Sequence, residues 1–309
     1  MAILYVPFGW ILRVIYEFIG SYGWALIVFT LITRLLLLPS TIHQQKGNAK
    51  QLRIQPKMNK IRQKYAGNQQ KMNEEMQALY KREGFNPMNQ GCLPLLVQLP
   101  IMWGLYGVIY KPLTYVLNLN KFQDGIVTKL TDAVTNLVEL SGKGAKNSLE
   151  LYVFNYKDQI LNSVDGIQQV VIDKINNFDF TFLGVAMGAQ PDIHNPSLLW
   201  LIPILSGVSS LLTSIYTFLN QKKQNPEMAK NPMGCMIFGL PIISVTFAFS
   251  LPAGIGIYWI ISNLFAFVQT VALSFVFPPK KVVARDMILE TIERRSRENS
   301  VKLVAEKNN

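Results

Sequence analysis

The sequence predicts an all-α integral membrane protein with five transmembrane helices, and three observations lead there. The 309 residues are 50% hydrophobic and only 16% charged, and the 49 residues 231–279 contain no Asp, Glu, Lys or Arg. A soluble domain rarely leaves so long a stretch uncharged. Residues 22–42, YGWALIVFTLITRLLLLPSTI, would form a helix about 30 Å long, the hydrocarbon thickness of a bilayer. Basic residues gather in alternate connections: 43–90, 220–233 and 278–309 hold 10, 3 and 8 of them, which is 21 of the 30, while 111–196 holds 7 against 9 acidic residues. By the positive-inside rule the first three face the cytoplasm, which makes the chain N-out and C-in. The net charge of +11 is then a topology signal rather than a nucleic-acid signature. Anionic lipid and ribosomal RNA are the surfaces that the basic segments would meet.

Residues 1–20 lack the basic start of a signal peptide, and Arg13 and Glu17 interrupt the apolar run. Those two are spaced to pair on one helix face, with Leu4, Phe8, Leu12 and Ile15 opposite. The expectation is an amphipathic helix lying in the membrane interface. Residues 21–42 form the first transmembrane helix. Its one charge, Arg34, lies roughly 18 Å along the axis, where insertion scales charge about 3 kcal/mol for it.

Residues 43–90, with ten Lys/Arg against three Glu, read as a cytoplasmic basic hairpin of two helices, 43–65 and 69–83, broken at Ala66-Gly67-Asn68. Leu52, Ile54, Met58 and Ile61 in the first and Met72, Met76, Leu79 and Tyr80 in the second recur at helical spacing and predict a narrow apolar seam. Residues 91–110 are the second span, bent by Pro94 and Pro100, with Gln98 inside it. Residues 111–196 are an extracytoplasmic insertion too polar to span. Helices are expected over 122–140, 149–161 and 164–175, with SGKGAKN (141–147) as a linker, all shielding the outer face. Residues 197–219 form the third span and 220–233 a cytoplasmic loop. Residues 234–277 hold the fourth and fifth spans, turned tightly at Leu251-Pro252. The basic tail, 278–309, carries a helical segment expected to be solvated.

Enzyme chemistry finds few groups. The two histidines, His43 and His194, fall on opposite sides of the membrane, and neither Cys92 nor Cys235 has a histidine at metal-ligand spacing. The glycines make no phosphate cradle, and no predicted span contains a carboxylate for a proton relay. A non-enzyme with no metal or cofactor is expected. The spans hold Arg34 and neutral polar residues: Thr30, Thr33, Gln98, Ser206, Ser209, Ser210, Thr213, Ser214, Ser262, Asn263 and Gln269. An unsolvated, uncompensated buried cation is prohibitive. Arg34 therefore implies a water-filled cavity that attracts something anionic, either a small solute in a transporter or channel, or a segment of another protein.

Several ordered blocks resemble the YidC/Oxa/Alb membrane insertases, in the short bacterial form without a large periplasmic domain. They are Thr30, Arg34 and Pro39 in the first span; Gln55-Pro56-Lys57 and EEMQALYK (74–81) in the polar stretch; Asn86-Pro87 with GCLPLLVQLPI (91–101); WLIPILSGVSS (200–210); and LPAGIGIYWIISNLFAFVQ (251–269). The resemblance implies a groove open to cytoplasm and lipid, in which Arg34 attracts acidic residues of nascent membrane proteins. Thr30 would line it, Gln98, Asn263 and Gln269 are carried over from the matching spans, and Tyr258 and Trp259 stand where the family contacts its substrate helix. It further implies a multi-pass location in the bacterial plasma membrane, with the ribosome and the Sec translocon as further partners. Ser214 stands where the family often has a glutamine, and the 111–196 insertion is longer than the family pattern. The competing transporter reading predicts an internal repeat, for which the only echo is NPMNQGC (86–92) against NPMGC (231–235).

Overall fold

The computed structural model describes residues 2–85, 93–137, 148–224 and 239–307. The NPM echo, both cysteines and the SGKGAKN linker lie outside them. The chain divides into two compact units: Met1–Leu36, Leu96–Phe218 and Asn231–Phe267 make one, and Leu37–Leu95, Leu219–Lys230 and Val268–Asn309 the other.

In the first unit, α1 (Ala2–Ile19) and α2 (Tyr22–Leu36) are joined through Gly20, whose φ of 74° a side chain would resist. Leu12 of α1 is fully buried, and Phe8 meets Phe29 of α2 edge-on at 5.7 Å. Where the spacing predicts an Arg13–Glu17 pair, the Arg13 guanidinium donates to the carbonyls of Tyr115 (2.7 Å) and Val116 (3.0 Å). It thereby caps the end of a short helix, α6 (Pro112–Tyr115), as a cation at a helix C-terminus does. The face opposite Leu12 is not purely polar: Val6, Trp10, Val14 and Phe18, each four residues apart, are exposed there beside the exposed Glu17. This helix is apolar on two sides, a departure from simple amphipathicity.

Among the described residues two helices are long and apolar enough to cross a membrane, Leu198–Asn220 and Ala253–Val276. The stretch Tyr22–Leu36 qualifies as a third only when taken across a break with the start of the next helix, and Leu99–Tyr110 and Pro241–Ser250 are shorter apolar helices. The continuous helix expected over 21–42 is thus corrected: α2 ends at Leu36 and α3 (Leu38–Lys64) begins after Leu37. Pro39 explains the break. It lacks an amide hydrogen and disfavours helical geometry in the residue before it, but is tolerated in the first turn of a new helix. The other apolar helices of the chain are α5 (Leu93–Tyr110), α11 (Leu201–Gln224), α12 (Gly239–Ser250) and α13 (Ala253–Val276).

The insertion adds aromatic and aliphatic residues to a core it shares with α1 and α2. Its helices are α7 (Ile126–Leu137), α8 (Leu149–Asn155), α9 (Lys157–Ser163) and α10 (Gln169–Asn176). A helix over 122–140 is not what forms. Gly125 takes a left-handed φ of 68°, and the Asn120 side chain accepts from the Val127 amide at 3.2 Å, so α7 starts at Ile126. The single helix expected over 149–161 is broken at Tyr156, which lets Leu151, Val153 and Ile160 all be buried. A two-stranded hairpin, β1 (Thr181–Phe182) and β2 (Val185–Ala186), is an addition the sequence did not predict. Phe178 sits centrally, 5.1–5.6 Å from Tyr16, Tyr22, Phe154 and Phe180. The insertion also caps α13: the amides of Ala253 and Gly254 donate to the carbonyls of Ala189 (2.7 Å) and Met187 (2.8 Å), satisfying donors a helix start leaves open.

In the second unit, α3 packs on α4 (Gln69–Arg82) through Ile54, Met58, Leu79 and Phe85, flanked by Ile61, Met76 and Tyr80. The Asn68 side chain accepts from the Lys71 amide at 3.0 Å, an N-cap that starts α4. At its other end Glu83 receives Lys57 at 2.7 Å, with Arg53 and Arg82 at 3.8 and 4.0 Å. The tail helix α14 (Pro279–Lys307) packs along α3. It is therefore not solvated throughout, although Met287, Ile288, Leu289 and Ile292 are exposed.

Candidate functional site

The polar residues of the apolar helices converge in the first unit. In α11, Ser206, Ser209, Ser210 and Ser214 are buried at three- and four-residue spacing, which places them on one helix face. Small residues let neighbouring helices approach closely: a side chain on Gly256 of α13 would collide with Ile202, and one on Gly207 would press on Val245 of α12. The hydroxyls bond within and between helices. Ser209 donates to the Ser206 carbonyl at 3.0 Å, and Ser206 to the Ser244 carbonyl of α12 at 3.4 Å. The Asn263 amide of α13 donates to Ser209 Oγ at 3.2 Å. Thr213 Oγ1 is buried without a hydrogen-bond partner among the described residues.

Arg34 enters this arrangement from the last turn of α2. Thr30 is fully buried and its hydroxyl donates back to the Leu26 carbonyl at 2.7 Å, while Thr33 donates to the Thr30 carbonyl at 2.9 Å. Their hydroxyls are thus satisfied by their own helix. The half-buried Arg34 sends Nε to Ser262 Oγ of α13 at 3.1 Å, and its Nη2 donates to the same oxygen. A serine hydroxyl is neutral, so this contact orients the guanidinium without cancelling its charge. Tyr258, one turn before Ser262, is near enough to act on Arg34 electrostatically. No Asp or Glu occurs in α2, α5, α11, α12 or α13.

The expected site residues divide accordingly. Arg34 and Tyr258 come together, Thr30 lies one turn from Arg34 on α2, and Asn263 joins the serine network beside Ser262. Tyr258 is 2% exposed and part of the packed core, so its surface is turned inward. Trp259 is half-buried and stacks on Phe247 of α12 at 6.1 Å. Gln98 belongs to α5, but its side chain lies outside the described residues. Gln269 belongs to the second compact unit. Ser244 is the member that the sequence reading left out, and Ser262, counted there among the polar residues of the spans, was not tied to Arg34. A lone serine in an apolar run carries no signal of what it faces.

The family model described as 60Kd inner membrane protein matches residues 14–279. The chain belongs to that family. The match takes in α2, α11, α12 and α13, and with them every residue of the Arg34 arrangement. A relative within the 60Kd inner membrane protein family, "Membrane protein insertase YidC" of Wolinella succinogenes, is 29% identical over 279 residues, covering 90% of this chain and 38% of that protein. The chain therefore spans somewhat over a third of that relative's length. "Membrane protein insertase MisCA" of Bacillus subtilis is 25% identical over 254 residues, 81% of this chain and 69% of that protein. "Membrane protein insertase YidC 2" of Listeria innocua is 24% identical over 306 residues, 97% and 81% respectively.

Proposed function

We propose that this membrane protein inserts other proteins into the bilayer and assists their folding, with Arg34 as a transient landing point for acidic residues in the client's polar segment. The observation that carries this reading is a guanidinium bonded to a serine hydroxyl within apolar helices whose own sequences contain no Asp or Glu. The relatives named membrane protein insertases support the same reading. A cation oriented but not neutralised by its hydroxyl contact is suited to reversible capture, because a passing carboxylate gains a charge-assisted bond worth about 1.5–3 kcal/mol. That is enough to dwell and too little to trap.

In this account five spans, N-out and C-in, enclose a hydrophilic groove open to the cytoplasm, with Thr30, Asn263 and Gln98 toward it and Trp259 on the client's path. The groove shortens the apolar distance that a polar tail must cross. Burial of the client's own ~20 apolar residues drives the rest, so the step needs no nucleotide. The location is a bacterial plasma membrane, and the ribosome and Sec translocon are the further partners. The test is depletion of the protein while protease protection of a small, Sec-independent client is followed. Insertion should fall on depletion and return with wild type and Arg34→Lys, but not with Arg34→Ala or Arg34→Glu. Normal insertion on depletion, or full rescue by Arg34→Glu, would overturn the proposal.

A further inference from the structure

The β1–β2 hairpin has a tip chemistry that neither its fold nor the Arg34 site explains. Phe182 fixes the hairpin against the start of α2. Its ring meets Trp24 edge-on at 5.8 Å, and it lies so close over Gly23 that any side chain there would occupy the ring's place. The two residues beyond Phe182 turn the chain with positive φ, 52° at Leu183 and 78° at Gly184. Such a turn favours Asn, Asp or Gly at its first position. A branched apolar residue stands there instead, 84% exposed. Phe18, 93% exposed, and Ile19 precede α2 by a few residues, and Trp24 in its first turn is 55% exposed.

Charge is missing from the same region. Residues 18–33 and 180–191 contain no Asp, Glu, Lys or Arg. The nearest polar device, Thr181 donating from its amide (2.9 Å) and hydroxyl (2.5 Å) to Asp179 Oδ1, lies on the strand side away from the tip. An uncharged apolar surface beside the first turn of a membrane helix, with a tryptophan at its edge, matches the chemistry of the bilayer interface. It is also continuous with the exposed apolar side of α2 at Ile32, Leu35 and Leu36.

We infer that the hairpin tip is a membrane anchor: Leu183, with Phe18 and Trp24, enters the bilayer leaflet at which α2 begins and holds the 111–196 insertion against the lipid surface. The inference rests on the chain being membrane-embedded and is independent of what Arg34 does.

The test uses the full chain with Cys92→Ser and Cys235→Ser, reconstituted in phosphatidylethanolamine–phosphatidylglycerol vesicles, and an environment-sensitive NBD label at Leu183→Cys. Asp165→Cys, an exposed acidic position of the same insertion, is the comparison. The anchor predicts blue-shifted emission at 183, strong quenching by lipids carrying a doxyl group near the headgroup, and loss of iodide quenching. At 165 the pattern should be the reverse. Equal iodide quenching at the two positions overturns the inference. Shielding of 183 from both quenchers overturns it too, because it places a second copy or another protein on the tip. If Leu183→Cys does not fold, the same label at Phe18→Cys, 93% exposed and placed by the inference in the same leaflet, gives the reading. None of these outcomes alters the insertion assay for Arg34, so the two readings fail separately.

Discussion

Within one compact unit, the 111–196 insertion buries Phe178 and Phe180 against Tyr22, with Tyr16 and Phe154 packed on them, whereas the helices around Arg34 bury Thr30, Ser206, Ser209, Ser210 and Ser262. The first region gains from removing large apolar faces from water. The second gains little from its hydroxyls, which mostly bond to backbone carbonyls of their own helices and hold helices close. A core of phenylalanines is what stability requires. A neutral polar lining beside a cation contributes little to stability and is intelligible as a place for a visiting charged segment. Substitutions in the insertion should therefore change melting and leave the charge preference of the site alone, and those around Arg34 should do the opposite.

The largest effect should come from Phe178→Ala. Truncating a packed aromatic costs about 3–5 kcal/mol, read as a lower melting temperature of the detergent-solubilised protein, while the protein that remains folded still prefers acidic client tails. Arg34→Ala should leave melting nearly unchanged and lower client crosslinking about 10–100-fold, the equivalent of the 1.5–3 kcal/mol assigned to a charge-assisted bond. A large drop in melting temperature for Arg34→Ala would erase the contrast between the regions.

Glu150 gives the contrast a pH axis. It is buried and accepts from the Thr114 amide at 2.9 Å and the Thr114 hydroxyl at 2.6 Å. Burial pushes its carboxyl above the usual range, against the pull of the Thr114 bonds and of Lys111. The folded form therefore holds its proton more tightly than the unfolded chain does. The resulting stabilisation is complete below the ordinary glutamate range and is lost as pH rises through the folded value. Melting temperature should fall between acidic and neutral pH, and Glu150→Gln should flatten that dependence while keeping an acceptor for Thr114. Glu150→Ala should cost about 1–3 kcal/mol by orphaning a buried amide. The smallest effect belongs to Ser262→Ala: a loss of about 0.5–1.5 kcal/mol in client capture, because the guanidinium keeps its charge and loses one orienting hydroxyl.

Arg34 was legible from sequence because a charge in an apolar run stands out, and the helices of the 43–90 stretch were legible from the spacing of Ile54, Met58, Met76 and Leu79. Which way a residue faces on a uniformly apolar helix was not, since such a helix has no polar side to orient it. That is why the buried Tyr258 and the half-buried Trp259 looked alike. Pro39 did signal the break at Leu37, but the apolar run through it suggested one continuous helix. The 181–186 hairpin was hidden for two reasons. Its strands are two residues each, and Leu183 stands where a turn of that kind normally shows Asn or Asp. The family resemblance, carried by blocks such as 91–101 and 251–269, pointed to Arg34 without indicating that Ser262 would hold it.

The most direct test of the central claim is a charge exchange. A small client with acidic residues in its translocated tail, and the same client with those residues changed to lysine, would be offered to wild type and to Arg34→Glu. Protease protection of the tail would be measured in each of the four combinations. The account predicts efficient protection of the acidic tail only by wild type, and recovery of the lysine tail by Arg34→Glu. Protection that is indifferent to the sign of the charge at position 34, for both clients, would contradict it.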